Sequence, residues 1–203
     1  MIDTIFLDMD GVIANYVGRL EHLFNEPELI DKIVNQDPVQ NSQHSSPVHT
    51  VLGFSGPDDD ANCAAFYEEV YRRDPNFFEN IEPYAWLDDL WSRLKGMSER
   101  TILMTKPSLT EECHGGKFNW IQEQFGFGFV DYAMTAHKWA MAHEGCLLID
   151  DDPNNCKQFR DHGGAAIVFP QPWNGDERDH EDPEKWRDVI NQLEQHDFNL
   201  DPL

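Results

Sequence analysis

The run Ile5-Phe6-Leu7-Asp8-Met9-Asp10-Gly11 constrains this chain more than any other stretch. Its apolar half reads as a short strand buried on both faces of a parallel sheet. The strand ends in two carboxylates one residue apart, followed by a glycine that lets the backbone leave by a tight turn. Ligands of open α/β sheets sit at the carboxyl ends of the strands. Two like charges about 4 Å apart repel by roughly 4 kcal/mol at an effective dielectric of about 20. A divalent cation with oxygen ligands relieves that repulsion, and Mg²⁺ commonly rests on one or two carboxylates plus a substrate phosphate. Asp8 and Asp10 are therefore expected at the centre of a cation-assisted site.

A second strand of the same design lies far along the chain, where Cys146-Leu147-Leu148-Ile149 runs into Asp150-Asp151-Asp152. The spacing Asp150-x-Asp152-x-Asn154 superficially suits a calcium loop, which needs Gly at its sixth position and Glu at its twelfth. Here those positions hold Asn155 and Asp161, and a strand precedes them instead of a helix, so that reading fails. Between the two acid-tipped strands, residues 101–104 predict a third buried strand ending in the hydroxyl of Thr105. That hydroxyl and the backbone N–H groups beyond it could hold a phosphate oxygen. A phosphoryl-transfer site also needs a fixed cation opposite the nucleophile, to offset charge on the transferring oxygens. Lys106, Lys117 and Lys138 are the candidates, in a chain with only 15 lysines and arginines.

The remaining periodicity supplies a frame. After Val12 a helix is expected from about Ile13 through Leu20, Leu23 and Phe24. A short second one follows at Leu29, Ile30 and Ile33, and another passes through Phe66, Val70 and Tyr71 to stop at Asp74-Pro75. Residues 35–63 read as polar loop, with Asp58-Asp59-Asp60 either solvated or opening a helix. A connection of about sixty residues between two βα units is too long for an ordinary loop. Residues 16–81 are therefore expected to form a helical cap, inserted into a core made of 1–15 and 82–203. Such a lid excludes water and selects the leaving group.

Within that core, Leu87, Leu90, Trp91 and Leu94 mark a helix before the Thr105 strand. Gly115-Gly116-Lys117 leads into another through Phe118, Trp120, Ile121 and Phe125. Residues 127–132 suggest a short strand, and 154–162 a helix closed by Gly163-Gly164. A last strand at 165–169, a loop near the site at 170–174 and a closing helix through Trp186, Val189, Ile190 and Leu193 complete the chain, with a frayed tail after His196. The fold class is α/β: a Rossmann-like parallel sheet with a small inserted helical cap.

Asp8-Met9-Asp10-Gly11 resembles the first motif of the haloacid dehalogenase superfamily. Within it, the chain is most similar to the 5'(3')-deoxyribonucleotidases. Residues 8–16, Phe77-Phe78 with Ile81-Glu82-Pro83, and Thr105-Lys106-Pro107 follow that family's runs. So do Lys117-Phe118-Asn119-Trp120-Ile121 with Phe125-Gly126, Thr135 with Lys138, and residues 147–151. The resemblance implies that Asp8 is a nucleophile, Asp10 a general acid and base, and Thr105 and Lys138 the groups that stabilise the phosphate. It implies substrate contacts from Lys106 and Lys117, and packing of Tyr16 and Phe78 near the nucleobase. Mg²⁺ would be held by Asp8, by Asp10 through its backbone carbonyl, and by the Asp150-Asp151 pair. Three departures stand out: Asn15 for an Asp, Lys106 for a Ser and Ala136 for an Arg. They bear on the choice of sugar and base and leave the phosphoryl chemistry alone.

The net charge of −23 argues against nucleic-acid polymers, whose phosphates need a basic footprint. It does not exclude a small phosphate ester, provided local cations focus the field. No apolar run reaches membrane-spanning length, and Met1 leads straight into the first strand, so neither a membrane partner nor a signal peptide is expected. Cys63, Cys113, Cys146 and Cys156 show no pairing or zinc spacing, which fits reduced thiols in the cytoplasm. The expected activity is Mg²⁺-dependent hydrolysis of nucleoside monophosphates, deoxyribonucleotides above all, by a homodimer. Two alternatives stand beside it. The same site could serve another small phosphate ester such as a sugar phosphate. A silent nucleotide-binding relative is the other, but it would be expected to lack Asp10 or Lys138, and both are present.

Overall fold

The apolar runs pair as a sheet because each is too short and too uniformly hydrophobic to rest anywhere but between two layers. The structure, a computed structural model, describes residues 2–35, 47–54, 59–108 and 110–195. Among them are β1 (Thr4–Leu7), β2 (Arg100–Thr105), β3 (Tyr132–Met134), β4 (Cys146–Asp150) and β5 (Ala165–Val168). All pair in parallel, in the order β3-β2-β1-β4-β5. β1 is central, with Leu7 level with Leu103 on one side and Ile149 on the other. The strand order reverses between β1 and β4, the position where open sheets of this kind form a crevice beyond their carboxyl ends. Asp8 and Asp150 reach that point from neighbouring strands.

Side chains alternate across the sheet. Ile5, Leu7, Leu147 and Ile149 face the larger core, with Val12, Leu20, Phe66, Phe78, Leu90 and Trp120. Phe6, Met104, Leu148 and Phe159 form a smaller core on the other face. Among the described residues, four helices lie between β1 and the next core helix: α1 (Tyr16–Phe24), α2 (Leu29–Val34), α3 (Pro47–Val51) and α4 (Asp59–Arg73). Then come α5 (Leu87–Lys95), α6 (Glu111–Phe125), α7 (Pro153–Asp161) and α8 (Glu184–Gln195). Two indole groups fasten the crossings to and from the helical segment. Trp86 Nε1 donates to Val12 O at 2.8 Å, and Trp120 Nε1 to Ile81 O at 2.7 Å.

Several boundaries differ from the expected ones. α1 starts at Tyr16 because Asn15 is its N-cap, its Oδ1 accepting from Gly18 N at 3.0 Å. The stretch read as loop holds α3 and the start of α4. There the His49 ring lies 4.1 Å from that of Phe66, a tertiary contact that hydropathy does not register. Asp58 is outside the described residues, and α4 begins at Asp59. α6 starts at Glu111, capped by Thr110, so Gly115 and Gly116 lie inside a helix instead of ahead of it. The reason is packing: a Cβ at Gly116 would lie 2.8 Å from Phe78 Cβ. The short strand expected at 127–132 forms at Tyr132–Met134 instead, after a turn with Gly126 and Gly128 at positive φ. The last strand closes at Val168, and the tail after His196 is outside the described residues.

Candidate active site

The acids of the two strand ends meet in space. Asp8 N donates to Ile149 O at 2.9 Å, carrying the β1–β4 ladder one residue past the strands, so Asp8 stands beside Asp150. Asp8, Asp150 and Asp151 each present an oxygen within 4.8 Å of the others'. Lys138, from a 3-10 turn at Lys138–Met141, enters this group from the side. Its Nζ is 2.6 Å from Asp8 Oδ1 and 2.7 Å from Asp150 Oδ2, and it is 4% exposed. An ammonium so desolvated is tolerable only because two carboxylates compensate it, and they hold its pKa well above the ordinary lysine value against the effect of burial.

Asp150 is fully enclosed. Its Oδ1 accepts from Asp152 N at 2.9 Å and Asn155 Nδ2 reaches both of its oxygens, so it serves as a rigid anchor. Asp151 is gripped from behind: Trp173 Nε1 donates to its Oδ2 at 2.7 Å and Asn174 Nδ2 to its carbonyl at 2.8 Å. Burial, then the Asp150 charge, pushes the Asp8 carboxyl up from 3.8 to about 7. Burial and the same neighbours raise Asp151 far above its ordinary range. A protein that confines three carboxylates with one ammonium leaves room for more positive charge.

Asp10 projects from the turn after β1, where Gly11 has φ +76°. A Cβ at Gly11 would lie 2.3 Å from Asp151 Oδ2, so glycine is demanded by the close approach as well as the backbone. Lys117 is fully buried on α6; its Nζ donates to Asp10 Oδ2 and, at 2.7 Å, to Thr105 Oγ1. Asp10 Oδ1 is buried with no partner among the described residues. Thr105 is completely buried at the end of β2.

Two of the expected contacts are less direct. Lys106 is exposed, one residue beyond Thr105. Phe78 is buried, its ring stacked 6.2 Å from Tyr16 and 5.1 Å from Lys117 Nζ, whereas Tyr16 keeps some exposure. The structure thus gathers Asp8, Asp10, Thr105, Lys117, Lys138, Asp150 and Asp151 at one end of the sheet, with Tyr16 and Phe78 alongside.

The family described as "5' nucleotidase, deoxy (pyrimidine), cytosolic type C protein" matches residues 1–196. The chain belongs to this family. As a member of the deoxy-5'-nucleotidase family it is a phosphoric monoester hydrolase that takes a small nucleotide, and its fold is that of the haloacid dehalogenase-like hydrolases. It is 23% identical to a protein of Staphylococcus epidermidis provisionally named a 5'(3')-deoxyribonucleotidase, over 92% of this chain and 93% of that one. A haloacid dehalogenase-like hydrolase from Xanthomonas campestris superposes with a TM-score of 0.53 at 11% identity, covering 97% of this chain and 93% of that one. A provisionally named HAD hydrolase from Bacillus subtilis, solved bound to magnesium, gives a TM-score of 0.52 at 14% identity, covering 83% and 86%. No helix among the described residues is long and apolar enough to cross a membrane.

The sequence places the loop at 170–174 near the site but assigns no role to Gln171 or Trp173, and none to Asn155 or Lys185. Gln171 Nε2 donates to Gly11 O, and Lys185 Nζ donates to Gln171 Oε1 at 3.1 Å. A usable signal existed for Lys185: with Val189 and Leu193 it occupies the i, i+4, i+8 stripe that α8 buries.

Proposed function

We propose that this chain hydrolyses nucleoside monophosphates, deoxyribonucleotides above all, through a phosphoryl group carried transiently on Asp8. The observation that carries the reading is the meeting of Asp8, Asp150 and Asp151 around one buried lysine, with Asp10 on the adjoining turn. An all-oxygen donor set suits a hard divalent ion such as Mg²⁺. Asp8, Asp151 and the Asp10 carbonyl would hold it, with Asp150 in support. When bound, the ion supplies the positive charge that lets a carboxylate meet a phosphate dianion.

The chain's own groups perform the rest. Asp8 attacks phosphorus in line with the ester oxygen, forming a carboxyl–phosphate bond as the nucleoside departs. Asp10 gives its proton to the departing oxygen, then takes one from the water that attacks the aspartyl-phosphate and regenerates Asp8. Its unpartnered Oδ1 is the atom available for both transfers, while Lys117 fixes its Oδ2. Lys138 and Thr105 face the transferring oxygens and neutralise charge developing there. Residues 16–81 act as a cap over the strand ends. Tyr16 packs against the base with Phe78 behind it, and Lys106 meets the substrate from the rim. The cysteine spacing, which matches no disulfide or zinc pattern, supports a cytoplasmic setting.

The test is phosphate release from dTMP, dUMP, UMP and a hexose phosphate with Mg²⁺ present. Wild type should favour the nucleotides, and Asp8→Asn should release nothing measurable from any. Equal turnover of the hexose phosphate would overturn the substrate class, and appreciable turnover by Asp8→Asn would overturn the nucleophile.

A further inference from the structure

Beyond the acids themselves, the turn at 171–174 touches both halves of the site at once. Gln171 Nε2 donates to the carbonyl of Gly11, in the turn that carries Asp10. Two residues on, the Trp173 indole holds Asp151 Oδ2, and Asn174 holds the Asp151 carbonyl. The turn is itself locked, since Gln171 N donates to Asn174 Oδ1 at 2.9 Å and Asn174 N returns a bond to Gln171 O at 3.0 Å. Its position is therefore shared by the turn after β1 and the end of β4, which otherwise come from segments about 140 residues apart.

The remaining oddity is Lys185. It is fully buried on α8, and no carboxylate among the described residues forms an ion pair with it; burial lowers its pKa to about 8 although the charges of Asp176, Asp179 and Asp182 oppose the shift. A desolvated ammonium without a carboxylate in contact is costly. Its hydrogen-bond partner is the Gln171 amide oxygen. An ammonium can only donate, so Lys185 accepts one orientation of that amide alone, the one with oxygen toward Lys185 and nitrogen toward Gly11. Gly11 O, an acceptor, requires that same orientation. Lys185 thus reinforces the orientation that Gly11 O selects, and without it that orientation rests on Gly11 O alone.

We propose that Gln171, oriented by Lys185, is a positioning residue that sets the turn bearing Asp10 against Asp151 and so fixes the spacing of the cation-binding oxygens. The inference rests on the function proposed above. Outer-sphere groups of this kind are typically worth 10–100-fold in metal affinity or activity.

The informative substitution is Gln171→Glu, which separates positioning from stability. It gives Lys185 a carboxylate in direct contact while removing the only donor to Gly11 O among the described residues, so the melting temperature should hold or rise. If the donor positions the site, Mg²⁺ affinity of the substrate-free protein by calorimetry falls about 10-fold or more. The kcat on dTMP falls likewise, with KM within about 2-fold. If Gln171 serves only to satisfy Lys185, affinity and kcat match wild type, and the proposal is overturned. Should Gln171→Glu fail to fold, Gln171→Met decides by the same readings, because it removes the donor to Gly11 O without adding a charge. Wild-type Mg²⁺ binding and turnover are measured alongside. If both are absent, the function falls and the positioning role with it; if both are present and the variants are unchanged, the positioning role alone falls.

Discussion

Replacing Lys138 with methionine removes the one ammonium inside the Asp8, Asp150 and Asp151 group while nearly preserving its volume. The carboxylate oxygens lie within 4.8 Å of one another, so each ionised pair repels by about 3.5 kcal/mol or more at an effective dielectric of about 20. Lys138 now offsets this through contacts of 2.6 and 2.7 Å. Removing one partner of a buried ion pair typically costs about 3–5 kcal/mol. For a domain of this size that is a fall in melting temperature of roughly 6–20 °C in EDTA.

The size of the loss should depend on pH. Asp8 titrates near 7 even with the lysine present. Without the lysine the carboxyls rise further, so the variant sheds its repulsion by taking up protons more readily at pH 6 than at pH 8.5, and the loss should be larger at the higher pH. Mg²⁺ should restore part of it by mass action, about 2.7 kcal/mol at a hundred times its dissociation constant. Activity should not return, because the lysine's charge on the transferring group is gone. Thermal melts by circular dichroism at two pH values, with and without Mg²⁺, read each of these. A variant that melts at or above wild type in EDTA at pH 8.5 would refute the idea that Lys138 is the cluster's counter-charge.

Two further outcomes follow from the same geometry. Gly11→Ala puts a methyl group 2.3 Å from Asp151 Oδ2 at a φ of +76°, so Mg²⁺ affinity and turnover should fall by about 10-fold or more while circular dichroism still reports a folded chain; unchanged affinity would contradict the close approach. In the metal-free protein, folded Asp8 keeps a proton up to about pH 7 that the unfolded chain releases near 3.8, so the Asp8 contribution to stability falls as pH rises between those values. The wild-type melting temperature minus that of Asp8→Asn should thus decline from pH 5 to 7.5 in EDTA and flatten when Mg²⁺ is added.

What the sequence disclosed and what it hid have a common cause. Asp8, Asp10, Asp150 and Asp151 were legible because a strand buried on both faces tolerates no charge, so an acid at its end marks the sheet's carboxyl edge. Thr105 was found the same way. The lysines were harder. Lys117 sits on the buried side of α6 with Cys113, Trp120 and Ile121, and Lys185 on that of α8 with Val189 and Leu193. A lysine at a core position of a helix stripe tells of an internal partner, but not which one. Reading Lys117 as a substrate contact associates it with the site without revealing that it is fully buried, with Asp10 and Thr105 occupying its ammonium. The start of α6 was missed because Gly115-Gly116 resembles a break, and only the packing of Phe78 on Gly116 explains glycine inside a helix. The loop at 170–174 is expected near the site, but the bonds of Gln171, Trp173 and Asn174 to Gly11 and Asp151 span 22 residues or more, where no periodicity points.

The central claim is that Asp8 itself becomes phosphorylated. The most direct measurement is rapid acid quenching of the enzyme turning over dTMP with Mg²⁺, borohydride reduction of any acyl phosphate, and peptide mapping by mass spectrometry. The account predicts homoserine at position 8 in wild type and none in Asp8→Asn. Reduction product at another carboxylate, or its complete absence during active turnover, would contradict it.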